Sequence, residues 1–540
     1  MANRGSGTVS VIDLIEKETV DTLYVGRQPY GVLADAAHNQ IYISIQGDDR
    51  VIVIDAANHA QVDVFETADR PSGLALSLDG SHLYVTHLFL NHISVLNVGP
   101  QRLYLPAILL DAHPGFKSDQ AELMGQQILH RSTIDLWTTS NLVQSIILGP
   151  NGNTAFVPHT RSISSNEALT FDSTVFPTVS EIDLIQETQI NTQTLRLEDL
   201  DPPAVGLPYD GALSPDHSQL WIVNAASNDL SVIDLNANTL AAHIEVGDKP
   251  TGILFSPDGS EAYVNNTLAG TISVINTSEL TITQVISTTT IPLEPQLLLG
   301  KRLFNSSDDP RMGIDQWMSC NTCHFDGEHD GQTWLLGFAG PRNTSSLLGV
   351  AETPPFRWSG EWDELADLEF TIREDAFGHG LIDGELNCAI FPPDCTNFPP
   401  NAGRSADLDA LSAYVATLAI LPPSSPDGLT PAVLRGQALF ESEATGCASC
   451  HPAPLYTDNL IHDVDSATAD EKVGPAFNTP SLRDIVNTPP YFHHGDVYNL
   501  SDTFMLEDGS VHDLSDRLTR SEVDDLAAFL AAIPLADGRK

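Results

Sequence analysis

A short run of alternating apolar and polar residues recurs through the first half of this 540-residue chain, and each copy ends in Asp or Asn. The copies at 10–14, 52–56 and 93–97 are about 42 residues apart. Most are followed by a Gly/Pro turn and then by a strand, a tight turn and another strand. Period-two alternation bounded by tight turns predicts four short antiparallel strands per repeat. Units of this length and pattern are typical of propeller blades, so we predict an all-β propeller over residues 1–290.

The repeats resemble β-propellers of the YVTN type, which carry three motifs in a fixed order. SVIDL (231–235), VGDKPTG (246–252) and LFSPDGSEAYV (254–264) form one such set. A run of unrelated hairpins is the alternative, and the fixed order disfavours it. Residues 99–179 depart from the pattern and are interpreted as one blade with an insertion. Five blades are clear where the family usually has seven. We expect an N-terminal strand to close the ring against residues 281–287, with missing blades as the alternative.

The second half of the chain contains another internal repeat, over roughly 135 residues, and its apolar residues follow helical spacing. Each copy contains the motif Cys-x-x-Cys-His, at 320–324 and at 447–451, in the same place relative to its other repeated motifs. We therefore predict a mostly α, duplicated cytochrome c-like region with one haem domain at 296–420 and another at 431–540. A Pro-rich linker, residues 421–431, joins the two.

The motif Cys-x-x-Cys-His attaches haem covalently, because its two thiolates add to the haem vinyl groups and its His binds the iron. A four-cysteine zinc site is the alternative. Histidine follows both cysteine pairs, and zinc gives no reason for the duplication around them, so two haem c groups are favoured. The residues expected to hold the first haem are Cys320, Cys323 and His324, and those expected to hold the second are Cys447, Cys450 and His451.

Covalent haem c is attached outside the cytoplasm, so the motifs predict an exported protein of the periplasm or cell surface. Cys388 and Cys395 lie in a Pro-rich loop and then predict a disulfide, with a reduced pair as the alternative. The first residues have no apolar signal segment, so we interpret the sequence as a mature or truncated chain. The longest apolar stretches are too short for a membrane span.

The charge of the chain restricts its partners. It has 72 acidic and 25 basic residues, and its formal net charge is −47. A negative field of this size repels nucleic acid, so a role in binding DNA or RNA is disfavoured. Such a field favours basic partners, divalent cations, or a salty medium in which the self-repulsion is screened.

The second half resembles the bacterial dihaem cytochrome c peroxidase and MauG family over about residues 296–535. The resemblance rests on Cys-x-x-Cys-His, followed by Asn-Thr-Pro-Ser-Leu or Pro-Arg-Asn-Thr, and then by Pro-Pro-aromatic and Gly. It implies reduction of hydrogen peroxide at the first haem, with electrons that a small protein such as a cytochrome c or cupredoxin delivers through the second. The resemblance also allows a Ca²⁺ ion between the two haem domains. The alternatives are MauG-like oxidation of a Trp or Tyr in a partner protein, and a non-catalytic electron-transfer or surface-binding module.

The same resemblance implies roles for individual residues. Trp358 in FRWSG matches the tryptophan between the haems, with a plain core aromatic as the alternative. Glu374 is the nearest candidate for the catalytic acid and Glu369 the second, although most glutamates are merely solvated. Met505 is the preferred distal ligand of the second haem, because a thioether keeps the potential high. His512 is the alternative and would lower that potential.

Overall fold

The chain folds into two compact units in a computed structural model. One unit comprises Met1–Ser162 and Val175–Ile291, and the other comprises Ile163–Thr174 and Pro292–Lys540. The described residues are all except 14, 17, 100–129, 168, 171–172, 191–194, 198–203, 391, 421–429 and 534–540. Much of the predicted insertion and almost all of the predicted linker therefore lie outside them.

The first unit is a six-blade β-propeller, whose blades are six antiparallel sheets that follow one another along the chain. The strands of the first three sheets are Ala2–Asn3, Thr8–Asp13 and Glu18–Tyr24; Pro29–Asp35, Gln40–Ile45, Arg50–Asp55 and Gln61–Glu66; Pro71–Leu76, His82–His87, His92–Asn97 and His130–Asp135. Those of the last three are Ser140–Asn141, Ile147–Leu148, Thr154–Ser162, Val175–Asp183, Thr188–Gln189 and Leu195–Arg196; Pro208–Leu213, Gln219–Asn224, Asp229–Asp234 and Thr239–Glu245; Pro250–Phe255, Glu261–Asn266, Thr271–Asn276 and Thr281–Ser287.

The Asp that ends the repeated motif builds the turn after its strand. Oδ1 of Asp234 accepts hydrogen bonds from the backbone N–H groups of Asn236 and Ala237, at 2.8 and 2.9 Å. An Asp side chain that bonds the backbone two residues on stabilises a turn in this way. The recurrence of Asp at this place in the sequence therefore reflects a recurrent turn.

The ends of the propeller differ from the sequence prediction. The N-terminal strands Ala2–Asn3, Thr8–Asp13 and Glu18–Tyr24 form a sheet of their own. Within the described strands, Thr281–Ser287 pairs with Thr271–Asn276 alone. The prediction that an N-terminal strand pairs with residues 281–287 is therefore wrong, because the N-terminal strands supply a sixth sheet.

The second unit is mostly helical in its regular elements, and we call residues 295–420 its first lobe and 430–533 its second lobe. The helices are Pro295–Asn305, Cys320–Cys323, Leu368–Phe370, Ala406–Ala416, Pro431–Phe440, Cys447–Cys450 and Arg520–Ala531, with a π-helical turn at Thr371–Asp375. The strands are Thr333–Leu336, Gly340–Asn343, Ile461–Asp463 and Ala476–Asn478. The longest helix in the described ranges has 12 residues, and none there is long and apolar enough to cross a membrane.

In both lobes the first helix crosses the last helix at a glycine. A side-chain carbon on Gly300 would overlap the backbone carbonyl of Ala410, and one on Gly436 would overlap the backbone carbonyl of Asp525. No other residue type lets the two backbones approach this closely. The same close crossing thus fixes the core of each lobe, beside the helix that contains its cysteine pair.

Candidate haem sites

The first cysteine pair lies on one turn of helix, and His324 follows it directly. The helix Cys320–Cys323 begins with a capping box between Ser319 and Thr322. Nδ1 of His324 lies 3.0 Å from the carbonyl oxygen of Ser345. A carbonyl can only accept, so Nδ1 carries the hydrogen and the lone pair of Nε2 is left for a metal. Burial lowers the pKa of His324 to about 4, which keeps the imidazole neutral at pH 7.

The second pair repeats this arrangement with a different acceptor. His451 follows the helix Cys447–Cys450, and its Nδ1 lies 3.0 Å from the carbonyl oxygen of Tyr456. Burial lowers the pKa of His451 as well. All four thiols of the two pairs are unpaired, whereas Cys388 and Cys395 form the predicted disulfide.

A cavity of about 510 Å³ borders the second cysteine pair, and its walls include many apolar side chains. Cys447, Cys450 and His451 line it, and so does His512. Nδ1 of His512 is buried and has no hydrogen-bond partner. Two free thiols, a neutral imidazole and an apolar cavity of this size are what a covalently bound haem requires, so the residues fit that group.

Met505 and His512 have different environments. Met505 packs against the hydrophobic core of the second lobe and is not among the described residues that line the cavity. Burial, and after it the charge of His451, lowers the pKa of His512 to about 4. The two histidines therefore lie close enough to interact through space. Of the two residues that the sequence analysis considered as distal ligands, His512 lines the cavity and Met505 does not.

Trp358 lies beside the same cavity. Its Nε1 donates a hydrogen bond of 2.7 Å to the carbonyl oxygen of Asn343. Asn343 and Ser345 also line the cavity, and the Ser345 carbonyl is the acceptor for His324. Trp358 therefore contacts the backbone segment that holds the first proximal histidine, and it faces the cavity that the second one borders.

His493 lies next to Trp358, at 6.3 Å between ring centroids, and stacks on Phe477 at 3.8 Å. Burial is the main reason that its pKa is lowered to about 3, and the nearby charges of His494 and Arg342 add to the effect. The imidazole is therefore neutral.

Glu369 and Glu374 also differ in their surroundings. Glu369 is fully buried and accepts hydrogen bonds from Arg373 Nε at 2.7 Å and from the backbone N–H groups of Leu381 and Ile382. Its carboxylate is therefore committed to holding this loop. Glu374 is half-buried in the π-helical turn and makes no hydrogen bond or ion pair within the described residues.

The sequence analysis did not single out a group of neighbouring charged residues in the first lobe, in which Glu361 and Asp375 are buried and Arg357 is partly buried. Each adjoins or lies near a residue that was singled out, since Arg357 precedes Trp358 and Asp375 follows Glu374. Nothing in the local sequence distinguishes a buried carboxylate from an exposed one in a chain with 72 acidic residues.

Two clusters of potential metal ligands occur in the described part of the chain. One is Asp367 with the disulfide cysteines, and the other is Cys450 with Asp458 and His462. Neither is the set of oxygen ligands that Ca²⁺ prefers. Ca²⁺ therefore stays a prediction from the family resemblance.

Known proteins match the second half of the chain. The family model described as di-haem cytochrome c peroxidase matches residues 294–377. The methylamine utilization protein MauG of Methylorubrum extorquens is 31% identical over 245 residues, which cover 39% of this chain and 67% of that protein. The cytochrome c551 peroxidase of Pseudomonas aeruginosa is 27% identical over 285 residues, covering 44% and 79%. The hydrazine synthase subunit gamma of Kuenenia stuttgartiensis is 28% identical over 295 residues, covering 45% and 79%.

Unpaired thiols on a helical turn, followed by a histidine whose Nδ1 is bonded to a backbone carbonyl, are the attachment chemistry of a c-type cytochrome. The chain belongs to the dihaem cytochrome c peroxidase and MauG family, whose members are oxidoreductases. In this chain the family region follows a six-blade β-propeller.

Proposed function

We propose that this protein is an exported dihaem c-type peroxidase, which reduces hydrogen peroxide to water with electrons from a small redox protein. One observation carries the proposal. Two Cys-x-x-Cys-His turns present neutral histidines whose Nδ1 atoms are bonded to backbone carbonyls. Trp358 contacts the segment that holds the first histidine and lines the cavity that the second borders. The periplasm or cell surface is the proposed location, because covalent haem c is attached outside the cytoplasm.

When bound, haem supplies an iron that exchanges electrons with peroxide and with the donor. His324 would bind the first iron and His451 the second, and their Nδ1 hydrogen bonds fix the direction of each imidazole. His512 is proposed as the second ligand at the second site. Trp358 would accept and release single electrons between the sites, and its bond to Asn343 holds the indole in place.

The charge of the chain points to a basic electron donor, such as a small cytochrome c or a cupredoxin. A net charge of −47 attracts a cationic partner over a distance set by the salt concentration. We expect the rate of donor oxidation to fall as ionic strength rises. A rate that does not depend on salt would argue against this kind of partner.

Stopped-flow absorbance spectroscopy tests the proposed function. The oxidised and the half-reduced protein are each mixed with hydrogen peroxide, and the haem bands are recorded with and without a reduced cytochrome c. A peroxidase gives a spectral change within the mixing experiment and then oxidises the cytochrome. An unchanged spectrum would favour a non-catalytic electron-transfer or surface-binding module.

MauG-like oxidation of a Trp or Tyr in a partner protein is the second candidate, and the position of His512 favours it. Two histidine ligands lower the potential of a haem relative to His and Met. Ordinary donors would then reduce the second haem poorly, so oxidising equivalents would be stored instead of consumed. In that case the changed spectrum of the peroxide-treated protein should last longer than that of a peroxidase, when both are measured with a reduced cytochrome present.

A further inference from the structure

The first lobe contains a buried group of charges that neither the family resemblance nor the sequence analysis identified. Nε of Arg357 lies 3.7 Å from Oε1 of Glu361, and Nη2 lies 3.7 Å from Oδ2 of Asp375. Glu361 is 6% exposed and Asp375 is 8% exposed. Two buried carboxylates thus share one guanidinium, which leaves one negative charge uncompensated at this place.

Several polar atoms of this group have no hydrogen-bond partner although they are buried. They are Nη1 of Arg357, both carboxylate oxygens of Glu361, Oδ1 of Asp375 and Nε1 of the neighbouring Trp362. More than nine in ten buried polar groups in proteins are hydrogen-bonded, so five unpaired atoms together need an explanation. They include donors and acceptors, which matches a small molecule with both, such as water or hydrogen peroxide.

Three aromatic rings surround the guanidinium of Arg357, whose side chain is 16% exposed. Its central carbon lies 4.8 Å from the ring centre of Trp362, 5.1 Å from that of Phe338 and 5.6 Å from that of Phe370. In such a low-dielectric environment a fixed positive charge acts strongly on any negative charge that forms beside it.

The group lies near the first haem attachment site. Cys320 of the first cysteine pair packs against the same hydrophobic core as Ile372, which lies three residues before Asp375. Asp375 closes the π-helical turn Thr371–Asp375, an irregularity that redirects side chains and is frequent at functional sites. The turn that ends at Asp375 thus borders the same core as the first cysteine pair.

We propose that Asp375, positioned by Arg357 and Glu361, is the acid–base residue for cleavage of hydrogen peroxide at the first haem, in place of Glu374 or Glu369. This inference rests on the proposed function. Its carboxylate accepts a proton from one oxygen of hydrogen peroxide and returns it to the other oxygen. The O–O bond breaks and one water leaves. Two protons, and two electrons from the reduced donor protein, convert the remaining oxygen into a second water.

The ionisation of Asp375 suits this role. Burial raises its pKa to about 6, Arg357 opposes the increase, and the carboxylates of Glu361 and Glu374 contribute to it. The residue is thus ionised at pH 7, yet basic enough to take a proton and return it within one reaction step. Since the carboxylate is the active form, peroxide cleavage should increase as the pH rises through about 6.

The test compares Asp375→Asn with Asp363→Asn in the haem-loaded protein, because Asp363 is an exposed aspartate of the same lobe. Single-turnover cleavage of peroxide should fall by about 10²- to 10⁴-fold in Asp375→Asn, the range for a positioned proton-transfer group. It should be unchanged in Asp363→Asn. Asp375→Glu, which keeps a carboxylate, should recover part of the rate of peroxide cleavage, and that rate should still increase with pH.

Binding of cyanide to the oxidised first haem gives a second readout that needs no peroxide turnover. Hydrogen cyanide must lose its proton to bind, so Asp375→Asn should slow its association as followed by absorbance. If Asp375→Asn changes neither rate while Glu374→Gln lowers both, Glu374 is the acid and the proposal is wrong. If the wild-type protein does not react with peroxide, the proposed function fails, and cyanide association still decides whether Asp375 is a base. Equal haem content in each variant confirms that it has folded.

Discussion

The indole Nε1 of Trp358 donates a 2.7 Å hydrogen bond to the carbonyl oxygen of Asn343. Two residues further on, the carbonyl of Ser345 is bonded to Nδ1 of His324. The same short backbone segment therefore holds the tryptophan and the histidine expected to bind the first iron. An electron that passes through Trp358 would leave it next to this segment.

We predict that Trp358→Phe slows electron transfer from the second haem but leaves the reaction of the first haem with peroxide intact. Phe keeps the aromatic packing but has no Nε1 donor and forms a cation radical much less readily. The first haem should still react with peroxide, while transfer of electrons from the second haem slows. The lost hydrogen bond should lower the free energy of unfolding by about 1 kcal/mol. Stopped-flow traces at wavelengths specific to each haem measure both steps, and equal slowing of the two would contradict the prediction.

The distal ligand of the second haem can be identified by a pair of variants. His512→Ala should convert the low-spin signal of that haem into a high-spin one, because the iron loses a ligand. Met505→Ala should leave the spectrum intact and lower the free energy of unfolding by about 2 kcal/mol, since Met505 packs against the core of the lobe. Electron paramagnetic resonance and urea unfolding are the measurements. If only Met505→Ala loses the low-spin signal, Met505 is the distal ligand and the assignment to His512 is wrong.

Haem stoichiometry should follow the cysteine pairs. A variant with both Cys447→Ser and Cys450→Ser should lose one of two covalent haems, because those thiols are unpaired and border the cavity. A variant with both Cys388→Ser and Cys395→Ser removes the disulfide and should keep both haems. The pyridine haemochrome assay and intact mass give the number. One haem in the wild-type protein would contradict two attachment sites.

The stability of the protein should decrease in acid because His493 is buried in its neutral form. Its pKa is lowered to about 3 in the folded state, against an ordinary value near 6.5. Below about pH 6.5 the unfolded chain gains a proton that the folded chain does not, so stability falls as the pH decreases from 6.5 towards 3. The loss is at most about 1.4 kcal/mol per pH unit.

Urea unfolding of the wild-type protein and of His493→Phe at pH 7 and pH 5 measures this effect. Phe can stack on Phe477 as the imidazole does, but it does not titrate. The variant should therefore lose less stability between the two pH values. An equal loss in both proteins would assign the acid sensitivity to other groups.

The sequence by itself determined the features that depend on local pattern. Period-two alternation and the Asp that ends each motif specify a strand and its turn within a few residues, as the Asp234 turn illustrates. Cys-x-x-Cys-His specifies its chemistry within five residues, because both sulfurs and the histidine lie on one turn. The blade count was not local in this sense, since it depends on which strands pair at the two ends of the propeller.

Only the tertiary structure distinguishes the surroundings of residues that look alike in the sequence. Glu374 and Asp375 are adjacent acids, but Asp375 alone is buried beside Arg357. Met505 and His512 are both plausible ligands by spacing, but His512 alone lines the cavity. Burial and ion pairing arise from contacts between segments far apart in the chain. The pKa of a carboxylate and the ligand that an iron meets depend on those contacts, and spacing along the sequence does not contain them.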